Sequence, residues 1–111
     1  MADQPKSHWT FLTNHTHVLV CIARDRDVRL RDVAQFVGIT ERAAQGIVGD
    51  LVDAGYVRRT RVGRRNRYSI NEAVPLRHTL EQDQLVGRLL DAVSPVDRGD
   101  LRISAGSAGS R

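Results

Sequence analysis

The sequence predicts an α+β domain, mostly α: a three-helix core, then a β-hairpin, then an additional C-terminal helix. Three observations carry that prediction. Apolar residues cluster at helical spacing in the first half of the chain, the period drops to two over residues 56–70, and helical spacing returns at Val86, Leu89, Leu90 and Val93. A length of 111 residues favours one domain. Its expected division is a polar, disordered N-terminus at 1–8, a folded domain at 9–93, and a flexible Gly/Ser-rich tail at 94–111 that ends in SAGSAGSR.

Each element follows from local chemistry. Trp9, Phe11 and Leu12 form an apolar cluster ahead of Thr13 and Asn14, either of which suits a helix cap. Helix 1 is expected from His15 to Arg24, and because Val18 to Ala23 are apolar all round it should be covered on more than one side. Arg24-Asp25-Arg26-Asp27 reads as a charged turn, followed by Val28 as a one-bridge strand. Helix 2 spans Leu30 to Val37, burying Val33, Ala34 and Val37, and stops at Gly38, a residue free to turn left-handed. Thr40 caps helix 3, which runs from Glu41 to Ala54 with Ala44, Ile47, Val48 and Leu51 on one face; Gly55 ends it. Tyr56–Val62 and Asn66–Ile70 are strands joined by a turn through Gly63-Arg64-Arg65, with Tyr68 and Ile70 facing the helices. Thr79-Leu80-Glu81-Gln82 matches a capping box, so helix 4 is expected to start there and end before Ser94-Pro95.

Charge is concentrated. Residues 56–70 hold six arginines (Arg58, Arg59, Arg61, Arg64, Arg65 and Arg67) and no acid, while the segments on either side each sum to −1 within a chain of net charge +4. An ordinary solvated surface intersperses acids; a pure arginine patch is the electrostatic footprint of a polyanion partner. The longest apolar run, Val18 to Ala23, is far too short for a membrane span, and MADQPKSHW has no apolar h-region, so neither membrane nor export is expected. The single cysteine, Cys21, excludes an internal disulfide and sits between Val20 and Ile22, the setting of an inert thiol. His8, His15, His17 and His78 lack metal-ligand spacing, so no metal and no cofactor is expected. With no glycine-rich phosphate loop, paired catalytic carboxylates or hydrolase elbow, the sequence does not read as an enzyme.

Between Val28 and Ile70 the chain resembles the winged helix-turn-helix of small bacterial regulators of the MarR and ArsR type. The residues carrying the likeness are Val33-Ala34, Gly38-Ile39-Thr40, Leu51, Ala54-Gly55-Tyr56-Val57 and the basic hairpin ending in Tyr68. The whole chain is also similar to a group of short actinobacterial MarR-like proteins with a GRRNRY wing. The resemblance implies a cytoplasmic, nucleoid-associated transcription regulator that binds double-stranded DNA, a repressor rather than an activator, acting as a homodimer. Helix 3 would enter the major groove with Thr40, Glu41, Arg42, Gln45 and Gly46, while Arg59, Arg61, Arg64, Arg65 and Arg67 of the wing would hold phosphates or a minor groove. Trp9, Phe11, Leu12, Val86, Leu89 and Leu90 are the expected dimer surface, and nothing in the sequence marks a pocket for a small-molecule effector. One departure matters: the exposed face of helix 3 carries Gly46 and Gly49 with Asp50 and Asp53, which predicts a large phosphate contribution and a modest base-specific one. A protein-interaction module and an RNA or single-strand binder are the two alternatives.

Overall fold

Helix α1 (Asn14–Arg24) begins where the Thr13 hydroxyl accepts the Thr16 N–H at 3.3 Å, and it buries Val18, Leu19 and Ile22. Its flanks Val20, Cys21 and Ala23 are half-buried, so the apolar run is covered from several sides: α1 touches the next two helices, the hairpin and the last helix. The computed structural model describes residues 9–93. The expectations for 1–8 and 94–111 lie outside the described residues.

Helix α2 (Leu30–Val37) ends at Gly38, whose φ of +87° lets its N–H reach Ala34 O at 2.8 Å. Helix α3 (Glu41–Asp53) starts under the Thr40 hydroxyl, which accepts the Ala43 N–H at 3.0 Å. It buries Ala44, Val48 and Leu51, with Ile47 half-buried beside them, and it stops one residue earlier than expected. Gly55 at φ +88° then redirects the chain into β1 (Val57–Val62) and β2 (Arg65–Ile70), an antiparallel pair in the register Val57↔Ile70 to Val62↔Arg65. The turn is tighter than the expected three residues. Gly63 at φ +63° and Arg64 suffice, because a two-residue hairpin needs a left-handed residue at its first position.

Two expectations are corrected. Val28 is buried but forms no strand; the backbone of the α1–α2 turn meets the hairpin backbone through one bond, Tyr68 N–H to Arg26 O at 2.9 Å. Thr79 does not start a helix. Residues 79–85 form turns and an extended return, in which Pro75 bridges Leu85, Leu76 N–H donates to Gln84 O, and Val86 N–H donates to Val74 O. Helix α4 is only Val86–Val93. The capping box is a local signal, whereas the 74–76 segment satisfies the backbone of 84–86 and is itself held by the Tyr56 hydroxyl's bond to Pro75 O at 2.6 Å. The apolar stripe that would hold a longer helix against the core exists only from Val86 onward.

The result is an α+β fold, mostly helical, with four helices and one two-stranded antiparallel hairpin among the described residues. Its core joins all three leading helices to Tyr56, Val57, Tyr68, Val86 and Leu90. Helix α4 approaches closely: a Cβ on Gly87 would lie 2.7 Å from Glu72 Cβ. Among the described residues, no helix is long and apolar enough to cross a membrane.

Candidate nucleic-acid interface

The register divides the arginines between the two faces of the hairpin, since cross-strand partners share a face. Arg59 and Arg61 lie on the face of Tyr68 and Ile70; Arg58, Arg65 and Arg67 lie on the other, and Arg64 sits in the turn. All six are exposed. Three are tethered within the chain. Arg61 Nε donates to Gly63 O at 3.2 Å, Arg65 to Asp27 O at 2.6 Å, and Arg67 Nε to Asp27 Oδ1 at 2.9 Å. The guanidinium groups of Arg58, Arg59 and Arg64 make no hydrogen bond or ion pair among the described residues.

Asp27 is the one carboxylate bonded to this cluster among the described residues. The hydrogen bond from Arg67, helped by the nearby positive charge of Arg67 and Arg65, holds its carboxyl below the usual range. The same pair pushes Arg67 further up, so its charge is fixed. Asp27 is itself set by the turn: its N–H donates to Asp25 Oδ1 at 3.0 Å. The charged turn therefore works as an anchor for the base of the hairpin. Sequence reading missed this, because nothing local links Asp27 to residues 38 and 40 positions away.

At the cap and along one side of α3, Thr40, Glu41, Arg42, Gln45 and Gly46 are all exposed. Adding a Cβ at Gly46 or Gly49 would meet nothing within 4 Å, so no packing among the described residues requires either glycine. Asp50 is occupied: His15 Nε2–H donates to its Oδ2 at 2.8 Å, tying the start of α1 to the open side of α3. His17 points elsewhere, bonding Asn14 Oδ1 through Nδ1. Among the described residues, no three His, Cys, Asp or Glu side chains gather into a metal-binding group. Cys21 is half-buried, and burial pushes its thiol up.

The expected dimer residues separate into three sets. Val86 (2% exposed) and Leu90 (5%) are committed to the chain's own core and are not available as surface. Trp9 (69%) and Phe11 (92%) stand out into solvent, packed edge to face at 5.0 Å. Half-buried Leu12 and Leu89 line a groove of about 760 Å³ between the start of α1, the end of α3, residues 76–81 and the start of α4. Nothing in the sequence marks that groove. It is assembled from four segments that meet only in the fold.

Comparison with family models, with curated proteins and with solved structures returned no match to this chain.

Proposed function

We propose that this chain is a winged helix-turn-helix transcription regulator that binds double-stranded DNA, a cytoplasmic repressor and not an enzyme. One observation carries the reading: six exposed arginines ride on a single hairpin, and only one carboxylate among the described residues is bonded to them. A guanidinium is always charged and grips phosphate oxygens in pairs, so the hairpin is a wing suited to a duplex backbone. In this reading α2 and α3 are the helix-turn-helix. Helix α3 lies in the major groove, where Arg42 is suited to a guanine edge or a phosphate and Gln45 to adenine. A two-fold pair of chains then favours pseudo-palindromic half-sites about one helical turn apart.

The face of α3 limits base reading. Two glycines contribute no side chain, and Glu41 and Asp53 are exposed acids, so most of the affinity comes from phosphate contacts. Single-strand binding is disfavoured by a specific observation. Tyr68 of the hairpin and Tyr56 just before it are both buried and offer no stacking platform.

The test is a competition shift assay with duplex, single strand and RNA, repeated across salt. Arg59→Ala with Arg64→Ala removes two untethered charges from each wing, which flattens the slope of log K against log salt by about 2 per wing engaged. An unchanged slope, or preference for single strands, refutes the reading.

A further inference from the structure

Strand β1 leaves one side of its backbone unused. Tyr68 N–H is spent on Arg26 O, so the backbone bonds of the pair Arg59↔Tyr68 do not face each other. The alternation of an antiparallel ladder then turns the N–H and C=O of Val57, Arg59 and Arg61 to the outer edge, where they have no partner among the described residues. Arg59 and Arg61 are open to solvent there, whereas Val57 is only 4% exposed. Buried backbone groups are nearly always paired, so those of Val57 call for a partner. A recess of about 620 Å³ opens at Val57, with Val52, Gly55 and Ile70 in its wall.

We infer that this edge takes an added antiparallel strand, an extended acidic segment of a partner protein. In such an addition main-chain bonds supply the affinity and alternate side chains supply the choice of partner. Residues of the incoming strand opposite Arg59 and Arg61 share the face of those arginines, which calls for a carboxylate at each. The residue opposite Val57 meets the recess, where Val52 and Ile70 call for a small apolar group. The Arg59 guanidinium has no bond to give up among the described residues, and Arg61 gives up only its 3.2 Å bond to Gly63 O. A second copy of β1 does not fit, because two such edges would set arginine against arginine. The bound segment occupies two of the cations proposed for the wing and so competes with a duplex. That consequence rests on the DNA reading, whereas the strand addition does not, and its test contains no nucleic acid.

The probe is the capped peptide Thr-Glu-Thr-Glu-Thr-Val-Thr, titrated into the full chain and followed by amide NMR. The expected result is saturable binding with a dissociation constant below about 1 mM, together with slowed hydrogen exchange at Arg59 and Arg61, whose amides gain acceptors. Methylating the amide nitrogens of the two glutamates removes the donors to Arg59 and Arg61 carbonyls and abolishes binding at unchanged charge. Arg59→Glu, at an exposed position that does not threaten folding, turns a cross-strand attraction into a repulsion and weakens binding by about tenfold. Arg64→Glu makes the same change of charge in the turn, away from the edge, and weakens it far less. An absence of saturable binding up to about 1 mM overturns the inference. So does equal binding by the methylated peptide, equal loss in the two variants, or binding that leaves exchange at Arg59 and Arg61 unchanged, since each reduces the contact to attraction between opposite charges.

Discussion

Replacing Gly46 by Ala should raise stability while leaving the fold unchanged, and the structure sets the size of the effect. Gly46 lies inside α3, with two turns of helix after it, and its backbone is ordinary helix. An added Cβ meets no atom within 4 Å, so there is no steric cost to subtract. What remains is the difference in helix propensity, about 0.8–1.0 kcal/mol in favour of Ala. Part of this comes from the reduced freedom of the unfolded chain. For a domain of this size 1 kcal/mol shifts Tm by about 4–8 °C, so the single variant gains about that much. The Gly46→Ala, Gly49→Ala double variant should gain about twice as much if the sites act independently. Differential scanning calorimetry or thermal circular dichroism reads the shift. A fall in Tm for Gly46→Ala refutes the reasoning, because it would mean that the open space at this position is not open. Duplex affinity of the same variant adds a second readout. If α3 lies against DNA with its backbone close, the methyl group weakens binding while Tm rises.

Gly87→Ala should act in the opposite direction. Its Cβ would stand 2.7 Å from Glu72 Cβ and 3.0 Å from the Glu72 carbonyl oxygen, so α4 must shift, and overpacking of this kind costs about 1–3 kcal/mol. Denaturant unfolding should show a lower midpoint; a higher one sinks the account. The Asp27–Arg67 bond should appear in the pH dependence of stability. Asp27's carboxyl is held below its unfolded value, so its contribution is complete above the ordinary Asp range near about 4 and is lost as pH falls through the depressed folded value. Thermal unfolding from about pH 6 to 2 should therefore show a drop in Tm that Asp27→Asn lacks. Parallel curves for the two proteins would exclude the anchor.

How far the fold can be read from the sequence depends on the range of the interactions that set each element. Helices α2 and α3 were legible because their caps, Gly38 and Thr40, act within four residues and their apolar faces repeat at helical spacing. The hairpin was legible from the change of period and from Gly63, with Tyr68 buried and Ile70 half-buried as expected. Residues 79–85 were misread because the pairing that decides them, Pro75 with Leu85, outweighs a four-residue capping pattern. The arginine cluster was plain in the sequence, and so was its exposure. Asp27 and the groove were not, since both depend on residues brought together only by tertiary packing.

The outer side of β1 has a consequence of its own. Strand β2 is flanked by β1 and by the Arg26 carbonyl, but among the described residues no backbone group of Val57–Val62 bonds beyond the ladder. Such an open strand edge is a template for stacking like molecules into fibrils, and like charges along it keep copies apart. The segment VRRTRV sets three arginines within six residues. The cations proposed to grasp a duplex thus also serve as gatekeepers against self-templating. Neutralising all three would remove the duplex grip and the safeguard together and produce insoluble aggregates, whereas exchange for lysine would preserve solubility.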